Sequence, residues 1–159
     1  MRNIPSAVAR IDWIIGNLDN PDASIRREAA AGAQYAVLGH LPSEKAALLL
    51  QKLATRLEAK VNGHVMLNEP CEYVRERCAN AFELASSSGK AISAFLPVLR
   101  WSSEYDPHEW VRGMAADAIR YHENRHHDSL PLPEKFTTRP QSYIREIKPA
   151  EPLKRQLRA

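Results

Sequence analysis

Covalent cross-links are the first thing this sequence cannot supply. It holds only two cysteines, Cys71 and Cys78, and on one helix their spacing means about 10 Å of rise, too far for a bridge. Both are expected to be reduced core residues. No stretch approaches the length of a membrane span, and the start Met1-Arg2-Asn3-Ile4-Pro5 meets Arg10 and Asp12 before an apolar secretory core can form. The expected compartment is the cytoplasm, with no membrane partner. Glycine is also sparse. The six glycines are scattered and none sits in a strand-loop-helix phosphate cradle, which argues against a nucleotide enzyme. Ser, Cys, His and Asp all occur, but in no context that would assemble them into a nucleophilic triad.

What is present suits a single soluble domain. With 159 residues, 44% apolar and 26% charged, the chain can bury a continuous core without disulfides or a structural metal. The net charge of +3 is unevenly spread. Residues 1–123 hold 14 Lys+Arg against 15 Asp+Glu, a net −1, whereas residues 124–159 hold 8 against 4, a net +4. That tail also carries five of the eleven prolines: Pro131, Pro133, Pro140, Pro149 and Pro152. A folded body (1–123) followed by a Pro-rich basic C-terminal arm (124–159), extended or disordered, is the expected organisation.

The body repeats itself. Asn20-Pro21-Asp22-Ala23-Ser24-Ile25-Arg26 recurs as Glu69-Pro70-Cys71-Glu72-Tyr73-Val74-Arg75 and as Asp106-Pro107-His108-Glu109-Trp110-Val111-Arg112. Each copy is Pro, three residues, a β-branched aliphatic, then Arg. Four residues beyond the arginine stand Ala30, Ala79 and Ala116, and seven beyond stand Ala33, Phe82 and Ile119. Such a phrase starts a helix, with proline in the first turn and the preceding acid or amide able to cap. Helical spacing from the aliphatic gives three inward stripes: Ile25, Ala29, Gly32, Ala33, Ala36; then Val74, Cys78, Ala81, Phe82, Ala85; then Val111, Ala115, Ala118, Ile119, His122. Before each lies another amphipathic stretch. The first is Val8, Ile11, Ile14, Ile15 and Leu18, and the second is Leu48, Leu49, Leu53 and Leu57 behind a Ser43 cap. The third, after Gly89, is Ile92, Phe95, Leu96 and Leu99. The arginines are 49 and 37 residues apart, and a loop from Val61 to Asn68, with Asn62 and Gly63 as helix stops, absorbs the difference.

Phe95-Leu96-Pro97-Val98-Leu99 followed by Asp106-Pro107 and Val111-Arg112 resembles the HEAT repeat family over roughly residues 5–123. The resemblance implies an all-α, right-handed α-solenoid of three HEAT-like helix pairs, with a first helix kinked at a proline such as Pro97. It also implies a scaffold or adaptor more readily than an enzyme. In similar proteins an Asp before the proline meets the Arg of a neighbouring repeat. Here only Asp106 matches, with Asn20 and Glu69 in the other copies, which argues against a regular ladder.

His122-Glu123-Asn124-Arg125-His126 matches the HExxH pattern, in which two histidines one turn apart bind zinc and the glutamate activates water. This makes a zinc-dependent hydrolase an alternative. Arg125 and Asn124 are foreign to the buried setting of such a helix, and His122 falls on an inward stripe, so no metal or other cofactor is expected. HEAT-like di-iron hydroxylases carry several His-Glu pairs, but His108-Glu109 and His122-Glu123 would lie about 21 Å apart on one helix and could not share a metal centre. Nucleic-acid binding is the other alternative, because some DNA glycosylases are similar solenoids with a basic concave groove.

The positions turned away from the stripes read Arg27, Glu28, Gln34, Tyr35; Glu76, Arg77, Asn80, Glu83; and Met114, Asp117, Arg120, Tyr121. Mixed signs beside tyrosines fit a protein-binding face better than a phosphate groove. In the arm, Tyr143, Ile144 and Ile147 form an apolar patch between Pro140 and Pro149. The expected function is that of a non-catalytic adaptor or inhibitor binding a protein partner through Gln34, Tyr35, Arg77, Asn80, Glu83, Asp117, Arg120 and Tyr121, helped by Tyr143, Ile144 and Ile147. Docking of the arm onto its own groove, onto a second copy (self-association) or onto a partner is left open by the sequence.

Overall fold

The computed structural model describes residues 7–61 and 63–125. The fold over these residues is all-α except for one short hairpin. Ile11, Ile14, Ile15 and Leu18, spaced for one helical face, are buried by α1 (Ala7–Asn17) and the residue that follows it. Next, α2 (Ala23–Ala36) begins where Asp22, with extended backbone, accepts the Ser24 N–H at 2.8 Å. Pro21 therefore precedes the cap instead of entering the first turn. The same holds at Pro70 before Cys71, which caps α4 (Glu72–Ser87).

Between them lies α3 (Ser43–Leu57), which buries Leu49, Leu50, Leu53 and Leu57. Leu48, expected inside, is 39% exposed, and Leu50 takes its place. Ser43 is the first residue of α3 and not its cap. Pro42 occupies that position with extended backbone, and its carbonyl accepts the Ala46 N–H at 2.9 Å.

Where a loop was expected from Val61, the chain forms β1 (Ala59–Val61) and β2 (His64–Met66), paired antiparallel with Val61 opposite His64. Gly63 has φ 79, a conformation that side chains disfavour and a two-residue hairpin connection uses. A second positive-φ residue, Gly89 at φ 96, ends α4. Its N–H reaches Ser86 O at 3.2 Å and the Lys90 N–H reaches Ala85 O at 2.9 Å, which satisfies two orphan carbonyls of the last turn. A 3-10 turn (Ser93–Phe95) then leads into α5 (Leu96–Tyr105). Pro97 lies in the first turn of α5, where its missing N–H costs nothing, so it starts a helix where the resemblance implied a kink. The last helix is α6 (Glu109–Arg125), and the expected boundary at residue 124 falls inside its final turn.

Consecutive helices pack as pairs, α1 with α2, α3 with α4, and α5 with α6. The second members also pack side by side, α2 on α4 and α4 on α6, while α3 makes slighter contacts with α1 and α5. Small residues permit this closeness. A Cβ on Gly32 would stand 3.0 Å from the Ile14 side chain, so α1 and α2 approach at a distance that glycine allows. All five stripe residues of α4, Val74, Cys78, Ala81, Phe82 and Ala85, are fully buried. On α2 and α6 the stripe loosens, since Ile25, Gly32, Ala36, Ile119 and His122 are only half-buried.

The three repeated phrases share one set of polar contacts. The residue before each proline accepts the N–H two residues on: Asn20 from Asp22 at 2.9 Å, Glu69 from Cys71 at 3.0 Å, and Asp106 from His108 at 2.9 Å. Each phrase arginine turns back onto its own turn. Arg26 Nη1 donates to Asn20 O and Pro21 O, Arg75 Nη1 to Glu69 O and Pro70 O, and Arg112 Nη1 to Asp106 O. The other edge of the guanidinium reaches forward to the next copy. Arg26 donates from Nε and Nη2 to the Glu69 carboxylate at 2.7 and 2.8 Å, and Arg75 to Asp106 at 2.9 and 3.3 Å. This overturns the expectation drawn from the missing Asp, because the longer Glu69 delivers both oxygens to Arg26 as well as Asp106 serves Arg75.

Burial alone would raise the Glu69 carboxyl, but the Arg26 hydrogen bonds, the Cys71 N–H and the charges of Arg26 and Arg56 outweigh it and hold it below the usual carboxylate range. A depressed folded-state value stabilises the fold at pH values above the unfolded value of about 4.5, and that stabilisation is lost as pH falls through the folded value. The urea midpoint is therefore expected to drop between pH 5 and pH 3 by more in the parent chain than in Glu69→Gln, measured by circular dichroism. Parallel pH profiles would show that Glu69 is not linked to folding.

Candidate interaction face

The face of α2, α4 and α6 turned from the first helices carries the residues expected to bind a partner, and most of them bind each other. Arg77 on α4 donates from Nη1 to Gln34 Oε1 at 3.0 Å, and Gln34 on α2 donates from Nε2 to Asn80 Oδ1 at 2.6 Å. Asn80 Nδ2 continues to Glu83 Oε2 at 3.2 Å. A polar chain thus crosses from α2 onto α4, in which each amide both donates and accepts. On α6, Arg120 is ion-paired with Asp117 one turn back. The helices are also tied by the Ser86 hydroxyl, which donates to Ala118 O at 2.7 Å.

Three of the positions expected on the open face lie inside. Glu83, Met114 and Asp117 are 7%, 3% and 0% exposed, on helices α4 and α6 that pack against each other. Glu83 and Asp117 can be buried because each has a hydrogen-bonded partner, Asn80 and Arg120 respectively. Tyr35 is the opposite case, 79% exposed, and Tyr121 is half-buried. Tyr143, Ile144 and Ile147 lie outside the described residues, as does His126. His122 is half-buried on α6, and Arg125 turns away to donate to Ser87 O at 2.9 Å. Among the described residues no three His, Cys, Asp or Glu side chains converge as metal ligands would.

The concave feature of this face was missed from the sequence. A cleft of about 570 Å³ opens between α2 and α4, lined by Ser24, Arg27, Glu28, Ala31, Cys71 and Arg77. Arg77 belongs both to the cleft and to the hydrogen-bonded chain, so the two are continuous. Arg27 lies over the ring of Tyr73 at 4.8 Å from its centroid, a cation–π contact that fixes one wall. Tyr73 is itself 50% exposed. Its neighbour Cys71 is a free thiol at the mouth, whereas burial pushes the thiol of Cys78 far up and leaves it inert. The signal for the cleft was the phrase itself: its variable middle positions, Ser24 and Cys71–Tyr73, are the exposed first turns of neighbouring helices.

Comparison with protein-family models, with curated proteins and with solved structures gives no match. The chemistry of the face must be read from its residues. Arg27, Arg77 and Glu28 line the cleft, while Arg120 is paired with the buried Asp117. No helix of the described residues is long and apolar enough to cross a membrane.

Proposed function

We propose that this protein is a non-catalytic protein-binding module, a short right-handed α-solenoid of three HEAT-like helix pairs that grips a partner with the face of α2, α4 and α6. The side-by-side packing of the second helices and the forward-reaching arginines support the solenoid reading. The observation that carries the function is the cleft between α2 and α4, where two arginines and a glutamate surround an open hollow and Arg27 lies over the ring of the half-exposed Tyr73. Arginine and tyrosine supply most of the binding energy in protein interfaces, and pre-paired polar groups lose little entropy on docking. A phosphate groove would lack the acids, because each carboxylate beside a phosphate repels it. The arm, through Tyr143, Ile144 and Ile147, adds a second point of attachment in this reading.

Affinity purification with the full chain, followed by titration of the captured partner, tests the proposal. Arg77→Ala is expected to weaken binding by about tenfold or more, the range for an interface arginine, while circular dichroism stays unchanged. Removal of residues 130–159 is expected to leave the helical signal intact, since repeats pack on their neighbours, and to lower affinity without abolishing binding. Tyr143→Ala/Ile147→Ala should reproduce that loss. Equal binding by all these chains would discard the face and the arm together. Binding to DNA or RNA that weakens steeply as salt rises would instead favour the nucleic-acid alternative.

A further inference from the structure

One side of α6 is uncovered where its two counterparts are sealed. Along α4, Arg75, Ala79, Phe82 and Ser86 are all buried. There α6 packs beside α4, and the Ser86 hydroxyl donates to Ala118 O. The same places counted from the phrase arginine are Arg26, Ala30, Ala33 and Val37 on and just after α2, against which α4 packs, and these too are buried. On α6 the places fall on Arg112, Ala116, Ile119 and Glu123. Ala116 and Glu123 are exposed, and Arg112 and Ile119 are only half-buried. A strip of helix about 16 Å long thus repeats a packing face without the helix that covers it elsewhere.

The arginine on this strip shows what the missing neighbour must carry. Arg26 and Arg75 each use Nη1 on the carbonyls of their own turn and the Nε–Nη2 edge on a carboxylate of the next copy. Arg112 makes the first contact, to Asp106 O, but its Nε and Nη2 have no acceptor among the described residues. It is a fork already held by its own turn. Both acceptors in the filled rungs, Glu69 and Asp106, stand immediately before a proline and also accept the N–H two residues on. Proline holds the residue before it in extended backbone and fixes its own φ, so the carboxylate is oriented before any arginine arrives.

We infer that the open side of α6 docks a helix of a partner protein whose first turn carries Asp or Glu immediately before proline. The carboxylate enters the Arg112 fork, and the helix behind it lies along Ala116 and Ile119. Glu123 stands where α4 has Ser86, so the partner meets an acceptor at the far end of the strip and brings a donor to it. This interface is separate from the cleft between α2 and α4 and does not depend on it.

A second copy of the chain fits poorly. Its Glu69 and Asp106 are already held by Arg26 and Arg75. The remaining turn of the same kind offers Asn20, a neutral amide whose oxygen accepts the Asp22 N–H at 2.9 Å, and a neutral acceptor gives roughly half the strength of a carboxylate.

The fork can be read directly by labelling the full-length chain with nitrogen-15 arginine and titrating it with an end-capped peptide of residues 104–110, Glu-Tyr-Asp-Pro-His-Glu-Trp. The Arg112 Nε–H resonance is expected to move and saturate, while those of Arg26 and Arg75 stay in place. A peptide carrying Asp106→Asn should bind at least tenfold more weakly. A peptide extended to residue 121, long enough to lie along the strip, should bind at least fivefold more tightly, a gain that Ala116→Tyr in the chain removes. Arg77→Ala in the chain should change none of this, which keeps the result independent of the cleft. No movement of Arg112, equal binding of the Asp106→Asn peptide, or no gain from the longer one overturns the inference. So does an Arg112 Nε–H that, without peptide, exchanges with solvent as slowly as those of Arg26 and Arg75, since the fork would then be filled within the chain. Slow exchange that arises only as protein concentration increases would place the acceptor on a second copy and overturn it equally.

Discussion

Asp106→Ala is expected to destabilise the fold by about 3–5 kcal/mol, the cost of stranding one partner of a buried ion pair. Arg75 is 3% exposed and Asp106 1% exposed, so water cannot replace the lost carboxylate. The guanidinium would keep only its contacts to Glu69 O and Pro70 O. The His108 N–H, which the same carboxylate accepts at 2.9 Å, would lose its acceptor at the start of α6. Asp106→Asn should fall between, because its amide oxygen can still accept from His108 but carries no charge. Replacing both partners, as Arg75→Met/Asp106→Ala, should cost less than the sum of the two single changes, since no charge is then left buried. Urea unfolding followed by circular dichroism measures all four. A loss below about 1 kcal/mol for Asp106→Ala, the range of an exposed pair, would show that solvent reaches the rung.

The ladder was hidden in a phrase that was fully visible. Recurrence of Pro, three residues, aliphatic and Arg located the starts of α2, α4 and α6 to within two residues, because proline and the following aliphatic fix both the entry and the buried phase of a helix. The family resemblance pointed the arginines at an Asp before the proline of a neighbouring repeat, but the sequence did not show which residues would meet. Their partners lie 43 and 31 residues away, and only packing brings those residues together. Judging the acceptor by residue name went wrong at Glu69, where one extra methylene is absorbed by a flexible side chain. The hairpin was legible too. Asn62-Gly63 between Ala59-Lys60-Val61 and His64-Val65-Met66 is a two-residue hairpin signal, but it was read only as a helix stop.

Burial of Glu83 and Asp117 could not be read from periodicity. A helical template assigns one face to the core and places charges on the other, which suits a helix with one neighbour. α4 touches α2, α3 and α6, so its buried arc extends from Val74 and Cys78 round to Arg75, Ala79, Glu83 and Ser86. Charges on the added arc persist because each is paired across or along the helix, a fact of the assembled row and not of the single segment. The partner-binding residues suffered the same way. Gln34, Arg77 and Asn80 were read as separate contacts, whereas they satisfy one another, and Arg77 lines the cleft together with Arg27 and Glu28.

Phe82→Ala should also cost about 3–5 kcal/mol, for an apolar reason. Phe82 is fully buried and is the largest of the side chains sealed from solvent, in the middle of α4. Its ring lies 5.4 Å from that of Phe95, tilted by 52°, within the range of centroid distances at which aromatic pairs attract. Phe95 precedes α5, so this contact anchors the third pair of helices to the second. The surrounding stripe is built from Val74, Cys78, Ala81 and Ala85, whose short side chains cannot reach into the space a benzyl group leaves. A cavity would remain, and its cost adds to the lost transfer energy. Phe82→Leu should lose less, because a branched aliphatic fills part of the volume. Thermal and urea unfolding of the two variants, with Leu48→Ala as a control at a half-exposed site, checks the order: Phe82→Ala lowest, Phe82→Leu between, Leu48→Ala nearest the parent. Equal stability of Phe82→Ala and Leu48→Ala would mean that the core is not centred on α4.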